Sequence, residues 1–128
     1  MIRVKLTSII VNDQDRARRF YTEILGFVIK HDIPMGAASW LTVTPPDAPD
    51  GVELLLEPAG HPASAAFQQA LYRDGVPLTQ LYTDDLRQEH RRLKALGVAF
   101  RGEPKQMGPT LLVDFDDTCG NLIRLVEG

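Results

Sequence analysis

Hydrophobic and polar positions follow the same order in the two halves of the chain. Each half has a polar helix cap (Asp13, Asp85), then apolar side chains at helical spacing, a Leu-Gly pair ending at Gly26 or Gly97, and an apolar strand. The two aspartates are 72 residues apart and the two glycines 71, so the first helix has one residue more than the second. This internal repeat predicts two similar structural modules.

The alternation of apolar residues between turn-forming segments predicts the remaining elements. Strands are predicted over residues 4–11, 27–32, 38–44, 52–57, 78–83, 98–101, 110–115 and 121–126, with a connecting helix over 63–72 and a loop over 103–109. Pro34 is expected to break the second strand. The order is βαβββ, connector, βαβββ. We therefore predict one α+β domain over residues 1–128, with a first module over about 1–58, a connector over 59–76 and a second module over about 77–128.

Composition excludes several classes of function. The 128 residues are 44% apolar and 24% charged, with a net charge of −3, which does not favour nucleic-acid binding. No apolar run is long enough to span a membrane, and the first residues lack the apolar core of a signal peptide. The single cysteine, Cys119, fits a reducing compartment, so we expect a cytoplasmic protein.

Three segments carry a family resemblance. The Phe20-Tyr21 pair, the Leu25-Gly26 helix end and the closing turn over 116–121 resemble the vicinal oxygen chelate superfamily, which contains glyoxalases, bleomycin-resistance proteins and extradiol dioxygenases. The resemblance implies two βαβββ modules that form a U-shaped, mixed and mostly antiparallel sheet around a cup. It also implies a homodimer. Reaction type is left open, since the superfamily includes both enzymes and proteins that sequester a drug.

The same resemblance implies where a divalent metal would be held. The family's ligand positions, counted from the repeated caps and along the last strand of each module, fall on Leu6, Glu53, Leu78 and Arg124. Leucine cannot bind a metal, and arginine stays protonated and only donates hydrogen bonds. We therefore predict no metal cofactor, with a divalent metal as the alternative. Glu53 and Arg124 are expected to form an ion pair across the floor of the cup.

Strand parity predicts the lining of the cup, because alternate side chains share a face. The expected ligand pocket is made of Leu6, Ser8, Ile10, Trp40, Glu53, Leu55, Glu57, Leu78, Gln80, Tyr82, Leu122 and Arg124. Apolar walls with a few polar groups are typical of small-molecule pockets. Glu53 and Glu57 make this lining acidic, which suits a cationic ligand.

The histidines and the cysteine offer few other candidates for chemistry. His31 is the one histidine expected near the cup, where it could act as a base or a displaced metal ligand. His90 is expected to be solvated and His61 to have no chemical role. Acidic neighbours raise the pKa of a thiol, so Cys119 is not expected to be a nucleophile.

Two functions remain open from the sequence, and no catalytic residue is assigned. The first is a metal-free small-molecule binder that acts by ligand binding or sequestration. The second is an enzyme. It could be a metal-dependent lyase, isomerase or dioxygenase whose displaced metal ligands are residues such as His31, Glu53 and Glu57. It could also be a metal-free catalyst in which the Glu53 carboxylate is the general base. The ligand is not identified by either reading.

Overall fold

The computed structural model describes residues 1–128, and its elements follow the predicted order. The strands are β1 Leu6–Val11, β2 Val28–Met35, β3 Ala38–Thr44, β4 Glu53–Pro58, β5 Thr79–Thr83, β6 Lys105–Met107, β7 Thr110–Asp116 and β8 Leu122–Glu127. The helices are α1 Gln14–Arg19, which continues into a π-helical turn Phe20–Ile24, then α2 Pro62–Arg73 and α3 Leu86–Ala95. Two compact units, residues 1–65 and 66–128, divide within α2. That they form one domain stays a prediction.

The first unit is a four-stranded mixed sheet in the order β1-β4-β3-β2. β1 runs parallel to β4, and the other neighbours are antiparallel. Alternate residues of β1 and β4 point towards the helix and are buried, namely Ile9, Val11, Leu54 and Leu56. The helical side chains that face them, Ala17, Phe20 and Tyr21, are buried as well. Burial of this apolar face under the helix is the main stabilising term for the unit.

One glutamine fixes the helix of the first unit to its sheet. The side-chain amide of Gln14 donates to the carbonyls of Ser39 (2.7 Å) and Leu56 (2.9 Å), and its oxygen accepts from the backbone N–H of Ser39 (2.9 Å). These bonds join α1 to β3 and β4. The helix therefore covers one face of the sheet only.

The second unit repeats this topology in the order β5-β8-β7-β6. β5 is parallel to β8, and β7 is antiparallel to both β8 and β6. Leu86, His90 and Leu93 are the buried side chains of α3, and Phe115, Ile123 and Val113 are buried on the strands. Both units are mixed sheets with helices, which confirms the α+β prediction.

The extra residue of the first helix is accommodated as the π-helical turn. The N–H of Phe27 donates to the carbonyl of Tyr21, six residues back, whereas the N–H of Val98 donates to the carbonyl of Leu93, five residues back. A π-helical turn is the usual result of inserting one residue into an α-helix. Both helices still end at a glycine of positive φ, +92° and +91°.

Three local predictions were wrong. Residues 98–101 form no strand, and only Phe100 makes an isolated bridge, to Phe115. β6 lies instead within the predicted loop, where Gly108 at φ +60° allows Met107 to pair with Thr110. Pro34 does not break β2, because β2 is an edge strand and a proline there removes no sheet hydrogen bond.

Residues 66–73 of α2 are anchored to the β7–β8 turn. Tyr72 donates a hydrogen bond to Asp116 Oδ2, and the Gln68 amide donates to the Cys119 carbonyl and to Asn121 Oδ1. The turn itself is organised around the fully buried Asp117, which accepts from the backbone N–H groups of Cys119 and Asn121. None of the helices has the length and apolar composition of a membrane-spanning segment.

Candidate functional site

The first unit places its predicted pocket residues on one face of the sheet, away from α1. In the parallel register of β1 and β4, Leu6 lies opposite Glu53, Ser8 opposite Leu55 and Ile10 opposite Glu57. Side chains opposite each other on neighbouring strands share a face. The intervening Ile9 and Leu54 point to the helix side and are buried. Parity along the two strands is therefore as the sequence indicated.

β3 and β2 continue the same face. Thr42 of β3 lies opposite Leu55 of β4 and opposite His31 of β2. Trp40 is two residues before Thr42 and so lies on the same side, where it is partly exposed. We call the face made by these side chains and those from β1 and β4 the open face of the first unit.

Glu53 is the centre of a polar group on the open face. Thr42 Oγ1 donates to Glu53 Oε1 at 2.7 Å, and His31 Nε2 lies 3.6 Å from the same oxygen. The Glu53 side chain is 23% exposed, whereas Thr42 is fully buried. The carboxylate is therefore held by a rigid hydroxyl and still reaches solvent.

His31 is a candidate from the sequence, whereas Thr42 is not. Thr42 is an ordinary β-branched residue in the middle of a strand, and only its parity with Trp40 distinguishes it. Its role becomes clear when β3 is paired with β4.

In the second unit, the corresponding face holds the predicted residues of β5 and β8. Gln80 lies opposite Arg124, Tyr82 lies opposite Val126, and the N–H of Leu78 donates to the carbonyl of Leu122 (2.9 Å). Leu122 is buried, whereas Tyr82 is 63% exposed. The members of this group therefore differ widely in exposure.

Arg124 has a partner that the sequence analysis missed. Asp114 of β7 lies directly opposite it, and its two carboxylate oxygens accept from Arg124 Nε (2.8 Å) and a terminal guanidinium nitrogen (3.1 Å). The hydrogen bond to Asp114 raises the pKa of Arg124 above its usual value. Parity along β7 could have suggested Asp114, but only if the order of the strands were known.

The expected pairing of Glu53 with Arg124 stays a prediction. Each of these side chains has a charged or hydrogen-bonding partner within its own unit, His31 and Thr42 for Glu53 and Asp114 for Arg124.

The side chains at the positions that the family resemblance assigns to a metal offer few donor atoms. Leu6 and Leu78 offer no donor atom, and the Arg124 guanidinium is positively charged and bonded to Asp114. Glu53 alone offers a ligand oxygen. Neither unit contains a group of three or more His, Cys, Asp or Glu side chains arranged to hold a metal ion.

Three residues outside this face were also considered in the sequence. His90 is buried rather than solvated, because its ring packs edge-to-face on Phe100 at 4.5 Å. His61 has a structural role, since its Nδ1 accepts from the backbone N–H of Ala63 (3.0 Å) at the start of α2. Cys119 is fully buried.

Comparison with known proteins gives consistent matches over the whole chain. Residues 3–125 match the family model of the Glyoxalase/Bleomycin resistance protein/Dioxygenase superfamily. The uncharacterized protein YurT of Bacillus subtilis (strain 168) is 48% identical over 126 residues, which cover 98% of this chain and 99% of YurT.

Two solved structures share the fold at similar identity. UcmS2 is 33% identical with a TM-score of 0.84, covering 100% of this chain and 99% of UcmS2. TnmS3, described as an antibiotic binding protein from Streptomyces sp. CB03234, is 32% identical with a TM-score of 0.78, covering 99% of this chain and 96% of TnmS3.

Proposed function

Because the chain belongs to the glyoxalase/bleomycin resistance protein/dioxygenase superfamily, we propose that it binds a small organic molecule, of antibiotic type, without a metal. The observation that carries this proposal is the chemistry at the four metal positions. Two leucines, a paired arginine and one carboxylate offer apolar and hydrogen-bonding surface and no metal site. The description of TnmS3 as an antibiotic binding protein supports the same class of ligand.

The open face of the first unit has the character of a binding surface. Leu6 and Ile10 supply apolar area that is not buried under α1, and Trp40 adds an aromatic ring. Glu53, held by Thr42, supplies a polar group of fixed orientation. Small-molecule sites combine apolar area with a few well-placed polar groups in this way.

In the second unit we assign Gln80 and Arg124 as the polar contacts. They lie opposite each other on β5 and β8, and Arg124 is held in place by Asp114. A guanidinium of fixed orientation orients a ligand through directional hydrogen bonds. Leu78, Leu122 and Tyr82 are assigned as the apolar and aromatic contacts.

The proposal is tested by titration of metal-stripped protein with antibiotics of several chemical classes. Trp40 is the only tryptophan of the chain, so its fluorescence reports on the open face. The expected result is a saturable change for at least one compound, unaltered by excess chelator. The proposal is overturned if every change requires added metal, or if no antibiotic binds.

A metal-dependent lyase, isomerase or dioxygenase is the second candidate, and one observation favours it. His31 Nε2 and Glu53 Oε1 lie 3.6 Å apart, and imidazole and carboxylate are both common metal ligands. Metal content is measured by mass spectrometry on tag-free protein purified without chelator. One equivalent of a transition metal would favour the enzyme and make His31, Glu53 and Glu57 the residues to substitute.

We propose in addition that the protein is a cytoplasmic homodimer. Family resemblance supports the dimer, and a single, buried cysteine fits a reducing compartment. Analytical ultracentrifugation tests the dimer, with a monomer at all concentrations as the contrary result. Cell fractionation tests the location.

A further inference from the structure

Thr44 holds an unusual position on the open face. Its Oγ1 is the only buried side-chain nitrogen or oxygen of the chain that has no hydrogen-bond partner, and the residue is fully buried. A hydroxyl withdrawn from water without a partner costs free energy. Such a group points to a ligand atom that completes it.

The position of Thr44 places this hydroxyl beside Glu53. Thr44 and Thr42 are two residues apart on β3, so their side chains share a face. On β3 and β4, Thr42 lies opposite Leu55 and Val43 lies opposite Leu54. Continuing this antiparallel register by one residue places Thr44 opposite Glu53. The unpartnered hydroxyl and the carboxylate therefore lie on the same face at neighbouring positions.

The carboxylate also has a free acceptor. Thr42 and His31 both approach Glu53 Oε1, and Glu53 Oε2 makes no hydrogen bond. Glu53 Oε2 can only accept a hydrogen bond, whereas the Thr44 hydroxyl can accept or donate one. A protonated amino group has three hydrogens to donate and the charge that complements a carboxylate, whereas a phosphate or carboxylate would be repelled.

Neighbouring side chains on the open face suit the same ligand. Glu57 is four residues beyond Glu53 on β4 and is exposed, so it adds negative charge on the same side. Trp40 is partly exposed and offers an aromatic surface, which attracts both cations and aromatic rings.

The geometry points to a cation subsite in which Glu53 and Thr44 bind a protonated amino group of the ligand, with Trp40 beside the ligand's aromatic frame. This inference rests on the proposed function, because it names the ligand class of the same face. It adds a requirement that small-molecule binding alone does not impose, namely a positive charge at one point of the ligand.

The test uses a matched pair of probes that differ only in that charge. Daunorubicin is an aromatic antibiotic with one amino sugar, and N-acetyldaunorubicin carries a neutral amide at the same nitrogen. Both are titrated into the metal-stripped full chain by calorimetry, with Trp40 fluorescence as a second signal. Daunorubicin is expected to bind about tenfold or more tightly than the acetylated compound, as for the loss of a charged hydrogen bond.

Two variants locate the charge requirement. Glu53→Gln keeps an oxygen that accepts from Thr42 but removes the charge, so daunorubicin affinity should fall by about tenfold and the two probes should become equal. Thr44→Val removes the unpartnered hydroxyl at nearly constant volume, so it should weaken daunorubicin binding while raising the thermal unfolding midpoint. A variant with a defective fold would instead show a lower affinity for daunorubicin together with a lower unfolding midpoint.

Glu23→Gln is the control. Glu23 is an exposed carboxylate on the π-helical turn that covers the opposite face of the sheet, so its substitution changes net charge equally but leaves the open face intact. Daunorubicin affinity should not change in this variant.

Each other outcome separates the inference from the proposed function. Equal binding of the two probes, or an unchanged affinity in Glu53→Gln, overturns the cation subsite and leaves small-molecule binding in place. If neither probe binds while another antibiotic does, the cation subsite is also overturned and small-molecule binding remains in place. Water is then the partner of the Thr44 hydroxyl. Absence of binding by any antibiotic overturns both.

Discussion

Asp114 and Arg124 lie opposite each other on β7 and β8, and both oxygens of the carboxylate accept from the guanidinium, at 2.8 and 3.1 Å. The two side chains are only 16% and 30% exposed. Planar, two-point contact of this kind restricts the rotation of Arg124. The permanent charge at one of the family's metal positions is therefore both balanced and held in place.

Removal of Asp114 should destabilise the second unit more than removal of the pair. Asp114→Ala leaves a half-buried guanidinium without its partner, and we expect a loss of about 1–2 kcal/mol in the free energy of unfolding. The double variant Asp114→Ala, Arg124→Met should lose less. Urea denaturation of the two single variants and the double variant measures the coupling, and strictly additive losses would contradict the assignment.

Tyr72 predicts a difference in stability at alkaline pH. Its hydrogen bond to Asp116, followed by burial, raises the pKa of the phenol above its usual value. The neutral phenol is therefore favoured in the folded state, and the stabilisation is fully present below about pH 10, the ordinary pKa of tyrosine. It is lost as pH rises through the higher folded-state pKa.

The Tyr72→Phe variant provides the measurement. It should be less stable than the parent at neutral pH, and the difference should shrink as pH increases above about 10. Urea unfolding over a series of alkaline buffers follows both proteins. A difference that stays constant with pH would show that the hydrogen bond to Asp116 does not contribute.

Thr118 adopts a backbone conformation that strains its side chain. Its φ of +64° is the only positive value at a non-glycine residue, and β-branched residues rarely adopt it. Thr118→Gly should therefore raise the free energy of unfolding by about 1 kcal/mol. Thr118→Ala, which removes both γ atoms but keeps Cβ, should gain less. Thermal denaturation checks both, and a loss of stability in the glycine variant would argue against strain.

The π-helical turn predicts which helix tolerates a deletion. If it accommodates one inserted residue, removing the exposed Glu23 should leave a regular α-helix that still ends at Gly26. Deletion of the exposed Arg91 from α3 should rotate the buried Leu93 relative to Leu86 and His90, and so greatly reduce stability. Circular dichroism and thermal unfolding compare the two. Equal damage would mean that the turn is not an insertion.

The repeat and the two faces of β1 and β4 could be predicted from the sequence, because period-two alternation is a local signal. Ile9 and Val11 are apolar and buried on the helix side of β1, and alternation places Leu6, Ser8 and Ile10 on its other face. The superfamily and its fold also followed from short motifs near the helix ends and the last turn.

Contacts between distant strands could not be predicted in the same way. Asp114 becomes the partner of Arg124 only once β7 is placed beside β8, and Thr42 reaches Glu53 only across β3 and β4. His90 was expected to be solvated because its neighbours along the helix are charged, yet Phe100 packs on its ring. Local pattern does not contain these tertiary contacts.

The central claim is that small-molecule binding does not require a metal. Its most direct test is the thermal unfolding midpoint of metal-stripped protein with a cationic glycopeptide antibiotic, a 2-oxoaldehyde–thiol adduct and a catechol, each with and without added Mn²⁺. A metal-free binder should show a higher midpoint with the antibiotic, equal in both conditions. A rise that occurs only with Mn²⁺, and with the adduct or the catechol, would contradict it and favour an enzyme.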